Sequence, residues 1–228
     1  MRRFPRYGTR FGNPADAAMA ALTVFALCSG VWLLRDGAQT HAPPQPSAAQ
    51  AGAGRDGQDG RAGQDGRAGE RPAVAALPPS PPDRVRIPAI RVNAPLTGLG
   101  LTRTGGLDVP PAERKNLAGW YEAGATPGER GTAIVAGHVD NADGPAVFYR
   151  LGSLAKGRTI EVDRRDGTVA VFTVDAVEAY AAKDFPDEKV YGAARRPELR
   201  VITCGGGYSR GSGYQGNVVV FAHLTGSR

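Results

Sequence analysis

Cysteine is scarce in this chain: Cys28 and Cys204 are the only two in 228 residues. Histidine is scarce too, with His41, His138 and His223. No Cys-x-x-Cys or His-x-x-x-His spacing occurs, so the sequence predicts no metal site of the zinc type and no metal for its chemistry. Aromatic residues make up 7% of the chain and are not interleaved with basic ones. With no helix-turn-helix or zinc-knuckle cue either, the net charge of +6 does not point to nucleic acid. Long apolar runs are missing, with one exception near the N-terminus.

That exception is Ala17–Leu34, "AAMAALTVFALCSGVWLL", 18 residues without a charge. Its length is near the lower end of the ~17–25 residues that span a bilayer. A cleaved signal peptide has a shorter apolar region, about 7–15 residues, and a small-x-small cleavage site. Here the segment ends "VWLLRDG", so an uncleaved signal anchor is expected. Arg2, Arg3, Arg6 and Arg10 precede it, which places residues 1–16 in the cytoplasm and everything after Arg35 outside. Cys28 lies inside the span and reads as an apolar filler, because lipid suppresses thiolate formation. Cys204 is then an exported cysteine without an exported partner. Such a leftover thiol points to an intermolecular bridge or to a reactive group.

Residues 35–82 have no apolar periodicity and read as a disordered Gly/Pro-rich linker. Glycines at 54, 57, 60, 63, 66 and 69 give a short Gly-X-Y run. Proline is absent from its X and Y positions, and Arg and Asp balance one another, so a solvated tether is expected rather than a collagen helix. "RPAVAALPPSPP" follows and favours an extended polyproline approach to the next segment. A flexible chain of 48 residues spans very roughly 40 Å.

From Asp83 to Arg228 the texture is that of short strands. "RVRIPAIRVNAPL" alternates apolar and polar residues, and "GTAIVAGH" is an apolar run ending on a polar residue. "RTIEVDRRDGTVAVFTVDAVEAY" reads as two strands about a turn at Arg165-Asp166-Gly167. "ELRVITC" and "NVVVFAHL" complete an all-β pattern dense in β-branched residues. Short helical pieces are expected near 144–154 and 185–193, with Pro145 and Pro186 in first-turn positions. The pattern predicts a single all-β barrel or sandwich with one core.

Cys204 and His138 both stand at strand ends. A free thiol is only a few per cent thiolate at neutral pH, so a nucleophilic cysteine needs a base. An imidazole beside it takes that proton and later returns it to a leaving amine, which is the chemistry of acyl transfer through a thioester. A buried inert cysteine is the bland alternative. His223, at the end of the last strand, reads as a surface histidine.

The residues around these two go further. "TAIVAGHVDNADGPAVFYRLGSLAKGRTIEV" resembles the histidine segment of the sortases, at Thr132, Gly137-His138, Phe148, Leu151, Leu154 and Gly157. "RVITCGG" resembles their Leu-x-Thr-Cys signature, at Leu199, Thr203 and Cys204, and "RIPAIRVNAPL" resembles their first strands. The likeness runs from Arg84 to Leu224. Thr-Cys-Gly-Gly, a single N-terminal anchor and a Pro-rich tether are most similar to the class F sortases of high-GC Gram-positive bacteria, with class E the nearest alternative.

The resemblance implies an eight-stranded sortase-type β-barrel with short helices and a cysteine transpeptidase activity. It makes Cys204 the nucleophile that cleaves an LPxTG-like sorting signal of surface proteins. His138 becomes the acid/base, and a peptidoglycan precursor or pilin amine the acceptor. No cofactor is implied; some relatives use calcium, but no acidic cluster here argues for it. Sortases also carry an arginine near the start of the strand after the cysteine. The positions before "VVVFA" are Gln215, Gly216 and Asn217, so Arg210 is the candidate for that role. Thr203, Gln215 and Asn217 are candidate substrate contacts. A catalytically impaired binding module on a stalk is the alternative, favoured by the missing arginine.

Overall fold

The computed structural model describes residues 42–47, 74–209, 211 and 213–228. The expected anchor at 17–34, most of the tether with its glycine triplets, and Arg210 lie outside the described residues. Among those described, no helix is long and apolar enough to cross a membrane.

Alternation in the sequence becomes alternation in burial. In β7 (Thr159–Arg164) and β8 (Val169–Ala181), Ile160, Val162, Ala170, Phe172 and Val174 point inward, and the residues between them are partly exposed. The two strands join at the expected Asp-Gly turn, where Gly167 has φ of 85° and its N–H donates to the Arg164 carbonyl at 3.0 Å. A left-handed backbone at that turn suits glycine. The remaining strands are β1 (Pro82–Ile87), β2 (Val92–Leu99), β3 (Ala118–Tyr121), β4 (Gly131–Gly137), β5 (Asp140–Asn141), β6 (Gly144–Pro145), β9 (Pro197–Ser209) and β10 (Gly213–Ser227).

Eight of them close into a barrel in the order β1-β2-β3-β4-β9-β10-β8-β7, while β5 and β6 form a separate two-stranded ribbon. Two neighbouring pairs are parallel, β2 with β3 and β4 with β9; the other barrel pairs are antiparallel. The barrel is filled by Val85, Ile87, Phe148, Leu151, Leu154, Ile160, Phe172, Leu199 and Val201 among others, all fully buried. Closure removes the unpaired sheet edges that an open eight-stranded sheet would expose.

Two local expectations are revised. Residues 144–154 are not one helix: Gly144 and Pro145 pair with Asn141 and Asp140, and only Leu151–Ser153 make a single 3-10 turn. Glycines at 144 and 152 weaken a helix there, and the apolar residues Phe148, Leu151 and Leu154 instead plug the barrel interior. The 185–193 segment does hold the α-helix Asp187–Tyr191, although Pro186 stands at its N-cap rather than in the first turn. The packed region also begins before Asp83. The Leu77 N–H donates to the Gly128 carbonyl at 2.8 Å, and the Ser80 N–H to Thr126 Oγ1 at 3.0 Å. The buried Arg164 guanidinium donates to the carbonyls of Pro127 and Pro78 and pairs with Asp166. One side chain thus holds the approach segment against the barrel end. Residues 43–228 form one compact unit.

Candidate active site

The side chains of a strand alternate between two faces, and three adjacent strands use this to separate fold from surface. In β4, β9 and β10 the inward set is Ala133 and Val135, Leu199 and Val201, and Val218, Val220 and Ala222. The outward set is Ile134, Ile202, Val219 and Phe221, which form a second apolar cluster with Val190 of the α-helix and Ala176. Leu107, Tyr121, Tyr180 and Phe185 pack around it. His138 follows Ile134 and Ala136 by steps of two, and Cys204 follows Arg200 and Ile202 likewise. Both therefore continue the outward face.

Register brings them together. β4 and β9 run parallel with Gly131 opposite Pro197 and Ala136 opposite Ile202. His138 and Cys204 each lie two residues beyond the last pair of that register, Ala136 with Ile202. The next link is observed: the buried Thr203 hydroxyl donates to the Gly137 carbonyl at 2.8 Å, fastening β9 to β4 one residue before each side chain. Thr203 thus sits inside the barrel wall with its hydroxyl committed to β4. Asn217 pairs with Cys204 on one side and with Tyr180 on the other. Gln215 is exposed and stands in a register irregularity between Tyr214 and Gly216. Arg210 lies outside the described residues. His223 is on β10 opposite Glu198, six residues beyond Asn217, or about 20 Å along a strand. It is partly exposed and bonded to Asp175 at 2.8 Å, apart from the cysteine.

The histidine is held by a residue that the sequence did not single out. His138 Nε2 lies 2.6 Å from the Pro110 carbonyl. A carbonyl only accepts, so Nε2 donates in this contact and Nδ1 is left facing away from it. Two further neighbours, Asp140 and Tyr214, also went unnoticed in the sequence. The Tyr214 hydroxyl donates to Asp140 Oδ2, tying the β9–β10 hairpin to the segment after His138. Asp140 stands two residues from the histidine, which is the one sequence signal that pointed to it.

Cys204 is unpaired and open to solvent on one side. Protein on its other sides disfavours a thiolate and pushes its pKa up, and the nearby Asp140 carboxylate pushes it further; a backbone hydrogen bond partly offsets both. Burial, the hydrogen bond to Asp140 and that carboxylate's charge likewise raise the Tyr214 phenol, so it remains a donor. The surroundings of Cys204 therefore favour the thiol over the thiolate. Among the described residues, no group of three or more His, Cys, Asp or Glu is arranged to hold a metal ion.

Cys204 is not at a strand end as expected but midway along β9, which runs on to Ser209, while His138 follows directly on the end of β4. The Sortase domain family model matches residues 85–225, and the chain belongs to the sortase family. No curated protein matches it. Among solved structures, the SrtA sortase from Actinomyces oris shares the fold with a TM-score of 0.51 and 20% identity, covering 68% of this chain and 89% of that one. The lid mutant of sortase A from Corynebacterium diphtheriae gives 0.50 and 17%, covering 66% and 73%. Another sortase A structure from that organism gives 0.49 and 20%, and the match covers 64% of this chain and 62% of that one.

Proposed function

We propose that this chain is a membrane-anchored cysteine transpeptidase, most similar to class F, that cleaves an LPxTG-like sorting signal and passes the acyl group to an amine. The observation that supports the proposal is the parallel register of β4 and β9, together with the Thr203–Gly137 hydrogen bond one residue before Cys204 and His138. Sortases act on sorting-signal-bearing proteins and amine acceptors. Here Ile134, Ile202 and Val219 are buried beneath the helix and its aromatic neighbours and brace the strands that carry the site.

In the first step Cys204 Sγ attacks the carbonyl of the scissile bond while its proton passes to His138 Nδ1. The C–N bond breaks, the proton goes from the imidazolium to the departing amine, and a thioester remains. The incoming amine of a peptidoglycan precursor or pilin reverses the sequence, giving its proton to His138 and releasing Cys204. Pro110 keeps the ring oriented through both halves. The raised thiol pKa leaves only a minor thiolate–imidazolium fraction as the active form.

The electrostatic partner of the developing oxyanion is the point where this chain departs from its family. Gln215 and Asn217 are neutral donors beside the thiol, and Arg210 is the remaining cationic candidate. Neutral donors stabilise an oxyanion less than a guanidinium does. That departure supports the second reading, a binding module that holds peptides without turning them over. Mass spectrometry of the full chain after incubation with an LPxTG-type peptide decides between them. A thioacyl adduct on Cys204, absent from Cys204→Ala, is expected; retained peptide binding without any adduct would establish the module.

A further inference from the structure

A stretch of the tether far from the barrel in sequence sits on the loop that follows the cysteine. Residues 42–47, "APPQPS", are extended, and Pro43 is buried. Gln45 Oε1 accepts the Gly206 N–H at 3.2 Å, two residues past Cys204, while Gln45 Nε2 donates to the Pro43 carbonyl at 3.1 Å. On the other side the strap presses against the 3-10 turn. A Cβ on Gly152 would lie 2.0 Å from the Pro44 carbonyl oxygen and 3.2 Å from the Gln45 Cα. All three nearest atoms to that position belong to the strap. Gly152 is therefore shaped to the strap and not to the barrel core.

The features match a surface that binds extended, proline-containing peptide. Proline fixes φ and lacks an N–H, so such a segment loses little freedom on docking and leaves no amide donor unpaired at those positions. The Gly206 amide supplies a single directed hydrogen bond, and Gly152 supplies the space for close backbone approach. From these contacts we infer that Gly152 and Gly206 form a docking surface for extended proline-containing peptide, and that the tether's own Ala42–Ser47 occupies it as an intramolecular competitor of peptides approaching Cys204. The competition with substrate rests on the transpeptidase reading; the docking itself does not. The thiol stays open to solvent with the strap in place, so the strap obstructs a peptide's path and not a small molecule's.

Docking also changes the reach of the tether. With Ala17–Leu34 as the anchor, seven residues (35–41) separate it from the strap, at most ~25 Å of chain. With the strap released, the chain from 35 up to Leu77, where the packed approach segment begins, adds to that reach.

Two variants of the full chain evict the strap from opposite sides: Gly152→Ala, and the triple Pro43→Gly/Pro44→Gly/Gln45→Ala. Both should raise hydrogen exchange at the Gly206 amide without lowering the melting temperature. Both should also raise kcat/KM for an LPxTG-type peptide about tenfold, the gain expected if the strap is docked in about nine molecules of ten. Alkylation of Cys204 by iodoacetamide should change less than twofold. Unchanged exchange at Gly206 in both variants would overturn the docking. Raised exchange with unchanged or lower peptide turnover would overturn the competition and leave a purely structural strap. If no variant forms a thioacyl adduct, the function reading fails separately. The docking is then read by adding the peptide Ala-Pro-Pro-Gln-Pro-Ser to the triple variant: restored protection of Gly206 supports the surface, and none refutes it.

Discussion

The two faces of β4, β9 and β10 are made from the same strands, yet they answer to different demands. Inside the barrel, Val135, Leu199, Val201 and Val220 touch only other apolar side chains and are fully buried. Outside, Ile134, Ile202, Val219 and Phe221 are nearly as apolar, but their cover is local: one five-residue helix and a few aromatic rings. Arg200 lies over the Phe221 ring at 4.7 Å and pairs with Glu198, so charge enters the outer face within two residues of that apolar cluster. The inner face is closed by the protein itself. The outer face runs on past its cover to His138 and Cys204, where it is open to a ligand. Stability resides in the first and chemistry in the second, and side-chain alternation keeps them independent.

That independence can be broken by experiment. The largest effect belongs to Cys204→Ala, which should abolish thioacyl formation and peptide cleavage while leaving the thermal transition in place. His138→Gln should lower kcat by about 10²–10⁴-fold, again with little change in melting temperature, because it removes the proton carrier and not a packing group. On the inner face the outcome reverses. Phe172→Ala, which empties a fully buried position, should cost about 3–5 kcal/mol in denaturant unfolding. At low denaturant, where the variant remains folded, its activity should be retained.

Smaller effects test the electrostatics beside the thiol. A thiol with a raised pKa holds less thiolate at any given pH, so the iodoacetamide rate should climb through a midpoint above the ~8.5 of a free cysteine. Asp140→Asn removes a negative charge that disfavours the thiolate. It should therefore move that midpoint down and speed alkylation at neutral pH, whereas a merely structural role for Asp140 would leave the midpoint in place. Gln215→Arg should have the least effect, at most about a fivefold rise in kcat/KM, since an exposed charge contributes roughly 0–1 kcal/mol. A larger gain would mean that position 215 aims directly at the reacting carbonyl.

Much of this was legible in the sequence. The hairpin about Arg165–Gly167 declared itself through an Asp-Gly turn between alternating segments. The Gly-His and Thr-Cys pairs stood out because each closes an apolar run. Other features had no local signal. Phe148, Leu151 and Leu154 follow a helix-like spacing but serve as a plug, because the barrel end needed filling and the glycines around them resist a helix. Pro110 holds His138 from a connection 28 residues upstream, and Tyr214 reaches Asp140 across 74 residues. Contacts of that kind depend on which strands become neighbours, and residue patterns along the chain do not carry that information.

By itself, then, the sequence determined an all-β domain and marked the Gly-His and Thr-Cys pairs that close two of its apolar runs. Short-range alternation and turn chemistry suffice for that much. Only the tertiary structure decided that β4 runs parallel to β9, with Ala136 opposite Ile202. It alone set Thr203 in the barrel wall, and it brought Ala42–Ser47 back over Gly152 and Gly206. These are long-range pairings, fixed by closing the barrel around its core rather than by the preferences of any one segment.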